Sequence, residues 1–188
     1  MKYAVIAAPR HEPIALKDAK LYLRTLPDDD TEDAAIIEPL IAAAREYCEN
    51  TTGRTLAVQK IEAYPEEFSW RIDLPHAPIN SIEKVMYIDA EGVEHILSET
   101  MYIADPSESI IIMRELPQFR PYPVKPIRIT YTAGYCPRKL PKTIRQAMLL
   151  LIGHWYTNRE TVVVGAIASV EVQLTTKRLL DQWKAWWF

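Results

Sequence analysis

Glycine is scarce in this chain, with five residues among 188. That leaves little material for a loop that cradles phosphate, and no GxSxG, HExxH or glycine-rich nucleotide motif occurs. Cysteine is scarcer. Cys48 and Cys136 stand far apart without a CxxC spacing, which suggests neither a disulfide framework nor a zinc site and makes a reducing cytosol the natural compartment. His11, His76, His95 and His154 share no ligand spacing with one another or with the cysteines, and the plain reading of His154 is a helix residue packed beside Trp155. There is no positive excess either. A formal net charge of -3 argues against a general nucleic-acid binder, although local basic patches stay open. Long apolar runs are missing: Met1 to Ala8 is too brief for a signal peptide or a membrane span, and Leu149 to Ile152 is followed at once by His154, Asn158 and Arg159, as in a buried helix. The chain is therefore expected to stay in the cell that makes it, to use no membrane, cofactor or metal, and to carry no catalytic residue.

What is present is the composition of an ordinary globular protein, 48% hydrophobic and 25% charged. A chain of this length can bury roughly 70% of its unfolded surface. Leu16, Ala19, Leu23 and Leu26 recur at helical spacing, and Pro27 with three aspartates closes that first short helix. Asp30 is a candidate cap for a second helix over residues 31–52, with acidic charge in its first turn and an apolar stripe of Ile37, Leu40, Ile41, Ala44, Tyr47 and Cys48. Gly53 is placed to end it in a left-handed turn. The acidic run Asp28 to Asp30, with Glu32 and Asp33, lacks the alternating ligands and glycine turn of a calcium loop, so capping explains it better. The Asn50 to Thr52 glycosylation match, without a secretion signal, is read as helix terminus.

From Thr55 the period changes to two. Phe68, Trp70, Ile72 and Leu74 alternate with polar residues, and β-branched or aromatic residues recur at Val85 to Ile88, Tyr102 to Ile103, Ile110 to Met113 and Ile129 to Tyr131. Asp89 to Gly92 and Asp105 to Ser109 read as hairpin turns. About six short antiparallel strands are expected before Thr132, because the connections are too short for the crossovers that parallel strands need. Gly134 ends the last strand. Pro141 starts a helix through Ile144, Ala147, Met148, Leu151, Ile152 and Trp155, ending near Asn158 with Arg159 and Glu160 as its charged surface. Thr161 to Leu174 is ambiguous, and Thr175 or Thr176 is a candidate cap for a final helix. The order helices, strands, helices gives an α+β fold in which N- and C-terminal helices form a bundle around an inserted antiparallel β subdomain, with boundaries at 1–54, 55–134 and 135–188.

Four of the last six residues are aromatic: Trp183, Trp186, Trp187 and Phe188. Trp186 and Trp187 point roughly 100° apart on a helix, which is more than one face can bury within its own domain. Tryptophan is enriched at interface hot spots, so these four residues are the candidate assembly interface.

Four stretches, taken in order, resemble the small head-tail connector proteins of tailed bacteriophages, the head completion or adaptor family, in its larger members with a β insert. They are Leu16 to Arg24 (LKDAKLYLR), Ile41 to Arg54 (IAAAREYCENTTGR), Leu74 to Ile82 (LPHAPINSI), and the block from Tyr131-Thr-Ala-Gly-Tyr135 to Arg159-Glu160. The resemblance covers about Leu16 to Leu180. It implies a structural subunit without enzymatic activity that forms a ring, usually dodecameric, below the portal protein, extends the DNA channel and offers the tail or a stopper protein its docking surface. It also implies a place at the head-tail junction of the virion, reached from the host cytoplasm during assembly. One departure is Val170 to Leu174, where the family leads one to expect a proline before the last helix. The mild negative charge suits a channel through which DNA passes without specific binding, since each neutralising Lys or Arg adds affinity and so drag. Two other readings compete: a β-rich module that binds peptide or carbohydrate through exposed aromatics such as Trp70 and Tyr122, and a small hydrolase with a site assembled from unlinked residues.

Overall fold

The computed structural model of the protein describes residues 1–25, 31–158 and 166–185. The chain mixes α and β structure, with helices and antiparallel sheets, and divides into two compact units: Met1–Arg10 with Val58–Gly134, and His11–Ala57 with Tyr135–Phe188.

The helical unit contains α1 (Leu16–Leu23), α2 (Thr31–Thr52), α3 (Lys142–Thr157) and α4 (Ala166–Asp181). The stripe expected on α2 is its buried face, since Ile37, Ile41, Ala44 and Cys48 recur at steps of four, three and four and all are buried. They share one core with Ile144, Ala147, Met148, Leu151 and Ile152 of α3, Ala19 of α1 and Leu180 of α4. Gly53 ends α2 at φ +67, a conformation costly for a residue with a Cβ, and its N–H donates to the Glu49 carbonyl at 2.8 Å. Gly153 permits the close approach of α1 to α3, where an added Cβ would lie 3.2 Å from the Tyr22 ring. Polar ties join the same helices: Arg145 pairs with Asp18 at 3.0 Å, and the Tyr156 hydroxyl donates to Asp33 at 2.8 Å.

The β unit holds a five-stranded and a three-stranded sheet. Strands β1 (Lys2–Ala7), β2 (Gln59–Tyr64), β4 (Ile79–Ile88), β5 (Glu94–Ile96) and β8 (Ile127–Ala133) form the first, in the order β1-β2-β8-β4-β5. Strands β3 (Arg71–Asp73), β6 (Tyr102–Asp105) and β7 (Ile110–Met113) form the second, in the order β3-β7-β6. Every pairing is antiparallel, as the short connections require. Both expected hairpin turns occur, one joining β4 to β5 and one joining β6 to β7. Ile61, Ile72, Val85, Ile111, Ile129 and Tyr131 come from both sheets and meet in one core. Tyr131, fully buried, spends its hydroxyl on the Pro75 carbonyl at 2.8 Å.

Several expectations are corrected. Residues 1–54 are not helical throughout, because Lys2–Ala7 is a strand that pairs with β2; its pairing partner lies some sixty residues away in sequence, beyond the reach of local periodicity. The strand expected from Phe68 to Leu74 is shortened to Arg71–Asp73, although the Trp70 carbonyl still accepts from the Met113 N–H at 2.9 Å. The first helix stops at Leu23, where Arg24 turns left-handed at φ 58. The last helix begins at Ala166 rather than near Thr175, and the Thr176 side chain is buried in mid-helix instead of capping. Pro141 stands as the N-cap of α3, one position ahead of the first helical residue. Leu26 to Asp30, including the proposed Asp30 cap, and Arg159 to Gly165 lie outside the described residues.

Candidate functional site

Trp183 follows the end of α4 and is half-buried against the helical core. Its indole N–H donates to the Thr143 hydroxyl of α3 at 2.7 Å, so the polar edge of the ring is satisfied within its own unit. Its carbonyl accepts from the Arg54 guanidinium at 2.7 Å, and two residues on the Ala185 N–H donates to the Thr52 carbonyl at 2.8 Å. The stretch from Trp183 to Ala185 is thereby tied to the C-terminus of α2, where helix carbonyls lack intrahelical partners. Trp186, Trp187 and Phe188, the other three residues of the candidate interface, lie outside the described residues.

A second feature has no counterpart in the residue-by-residue sequence reading. Arg45 of α2, buried, donates to Glu12 at 2.9 Å and to Glu49 at 2.8 Å, with Glu46 at 3.4 Å. The other oxygen of Glu49 accepts from the Leu56 N–H at 2.8 Å. Burial pushes the Glu49 carboxyl up, against the pull of that N–H and of Arg45. The four-residue spacing of Arg45 and Glu49 was the available signal; Glu12 could not be found that way. This cluster ties the segment ahead of α1, through Glu12, and the segment leaving α2, through Leu56, to α2 itself.

The residues that chemistry would use are dispersed. Among the described residues no three His, Cys, Asp or Glu side chains converge as metal ligands would, and no helix is long and apolar enough to cross a membrane. His76 lies against the Tyr3 ring at 4.1 Å, and burial lowers its pKa. His95 pairs with Asp89 at 2.7 Å and stacks on Tyr87. His154 sits in the last turn of α3, beside Asn158. Trp70 is 61% and Tyr122 41% exposed. Tyr122 lines a surface cleft of about 570 Å³ with Tyr64, Pro121 and Pro123, and Trp70 is not among its walls. The two aromatics suggested for peptide or sugar do not share that cleft.

Cys48 is buried, and burial together with the Glu49 carboxylate pushes its thiol up to about 12, whereas Cys136 is exposed. A thiolate is the reactive form. Titration of the native protein with an aromatic disulfide reagent should therefore count one thiol, with the second appearing only in denaturant. Two rapid equivalents in the native state would show that the α2 core is open.

The model of the head completion protein family matches residues 14–177. Solved structures share the fold over the whole chain. One is described as the neck of an empty GTA particle computed with C6 symmetry, with a TM-score of 0.76 and 20% identity over 100% of this chain and 97% of that one. Another, from the virion of a native gene transfer agent (GTA) particle, has a TM-score of 0.75 at 21% identity with the same coverage. A third, the neck of a native GTA particle computed with C12 symmetry, has a TM-score of 0.70 at 19% identity, again with that coverage. No curated protein matches the sequence. The structural likenesses speak for the fold, and the family match runs from the segment before α1 into α4. The chain belongs to the head completion protein family.

Proposed function

We propose that this protein is a structural subunit of a phage-type head-tail junction. Copies assemble into a ring, dodecameric in the particle, below the portal protein; the ring extends the DNA channel and presents a docking surface to the tail or a stopper protein. DNA passes without specific binding, no cofactor is needed and no reaction is catalysed. The protein acts in the virion after assembly in the host cytoplasm. The observation that carries this reading is the family match over 14–177, which takes in α1, α2, α3, every strand after β1 and most of α4. Fold likeness to neck components over the full chain supports it. The net charge of -3 is compatible with a channel that holds phosphates weakly. In this reading the helices at the two chain ends form the bundle and the strands between α2 and α3 are its insert.

Within the ring, we assign the assembly contact to the C-terminal aromatics Trp183, Trp186, Trp187 and Phe188. The partner is the portal or the neighbouring subunit. Trp183 also packs in its own unit, and Thr176 and Leu180 are buried, so a cut at Thr175 would open the helical core. The informative truncation removes only Trp186 to Phe188. Light scattering and negative-stain images, alone and with the matching portal, should show rings for the full chain. The truncated chain should melt normally yet lose ring formation or portal binding, since each such anchor contributes about 2 kcal/mol or more. A full chain that is monomeric in both settings overturns the connector reading. Undiminished assembly of the truncated chain overturns the assignment to its C-terminus.

A further inference from the structure

Strand β1 has the composition of a buried strand and the surroundings of an exposed one. Tyr3-Ala-Val-Ile-Ala7 is a continuous apolar run, the pattern of strands covered on both faces. Yet Tyr3 is 44% exposed and Val5 and Ile6 47% each. β1 is also an edge of the five-stranded sheet, paired only with β2, so its outer backbone groups have no strand partner. Such an edge is a template for pairing with another chain, and proteins that leave it free usually blunt it with charge, proline or a short strand. β1 has six residues and one charge, Lys2, and its pairing with β2 is regular from Lys2 to Val5 before a register shift between Val5 and Ala7.

We propose that β1 pairs with the opposite edge of the same sheet, β5, on a second copy of this chain, and that this contact repeats around the ring. The inference rests on the connector reading and specifies one contact within it. The β5 edge matches in character: Val93 is 52% and Ile96 73% exposed. It is also complementary in charge, because Glu91 and Glu94, the latter half-exposed and paired with Arg128 at 3.0 Å, stand where β1 carries only Lys2. Direction selects the geometry. Four antiparallel steps separate β1 from β5, so the two edges run the same way. A β1–β5 junction that continues this sheet is therefore parallel, and being heterologous it can repeat from copy to copy around a ring. With Lys2 set beside Glu94 for charge, parallel alignment places Ala4 beside Ile96. Pairing of β1 with another β1 would need a two-fold axis and would stop at a dimer.

Cross-linking tests this directly. In a Cys136→Ser background, where the remaining Cys48 is buried, Ala4→Cys and Ile96→Cys are made singly and together, and each is checked by its melting curve. A short bismaleimide, which tolerates a register offset of a residue or two, should join the two single variants only when they are mixed, and should stop at a dimer. The chain carrying both cysteines should give a ladder of covalent multimers in place of the monomer band. Self-linking of Ala4→Cys alone overturns the proposal in favour of two-fold pairing. Rings that form by light scattering but give no cross-link in any combination overturn the proposal and leave the connector reading standing. Absence of rings, alone and with the matching portal, overturns both.

Discussion

Replacing Ile41 or Leu151 with alanine should lower the stability of the protein by about 2–5 kcal/mol. Both side chains are nearly fully buried, at 2% and 4% exposure, and both belong to the core shared by α2 and α3. Truncation to alanine removes apolar surface from that core and leaves a cavity that close-packed neighbours fill only in part. Ile41 lies on the stripe with Ile37, Ala44 and Cys48, so its loss is felt along the middle of α2. Leu151 answers from α3. Because the two positions share one cluster, the double variant should deviate from the sum of the single losses, whereas distant sites add. Urea denaturation with an unchanged slope is the appropriate measurement. A loss below about 0.5 kcal/mol at both positions, the size of an ordinary surface substitution, would mean that the two helices do not share this core.

Arg45→Met should cost about 3–5 kcal/mol at neutral pH, because it deletes one member of a buried ion cluster and leaves the others uncompensated. The side chains of Arg45 and Glu49 are 9% and 12% exposed, so solvent screening relieves little of the imbalance. Glu46, 64% exposed, is a control, and Glu46→Gln should change stability by less than about 1 kcal/mol. The pH dependence carries a sign. Burial already holds the Glu49 carboxyl above its ordinary 4.5, and removing Arg45 takes away one of the groups that oppose this. A group whose folded pKa is raised contributes stability that is full below the unfolded value and is lost as pH rises through the folded one. The deficit of Arg45→Met should therefore be largest at pH 7 and shrink as pH falls toward 4.5. A deficit under 1 kcal/mol, or one that does not vary across that window, would show that the cluster does not carry a buried charge.

The helices over 31–52 and from Lys142 were legible because their signals are local. An apolar step of three and four, a glycine after the last turn and a proline at the start each act within a few residues, and α2 runs over Thr31–Thr52 as the pattern predicts. The antiparallel character of the strands and both hairpin turns were legible for the same reason, since turn chemistry and connection length are read directly from the chain. The family was legible in four ordered stretches, and the match over 14–177 agrees.

Other features depend on groups that are remote in sequence. The apolar run Tyr3 to Ala7 acquired meaning only through β2, and its exposure only through its place at the edge of the sheet. Division of the strands into two sheets depends on which distant strands pair, and alternation alone does not specify a partner. Thr175 and Thr176 carry a local capping signal, but α4 begins at Ala166 and buries Thr176, because packing outweighs a cap contributing about 1 kcal/mol. The Glu12 contact to Arg45 and the Trp183 contact to Thr143 span 33 and 40 residues. The sequence by itself determined the first three helices, the antiparallel strands that follow α2 and the family, since periodicity, turn residues and ordered motifs reside in the chain. Which edge is left open, which charges are buried together and where Trp183 anchors were decided only by tertiary structure, because each depends on proximity that folding creates.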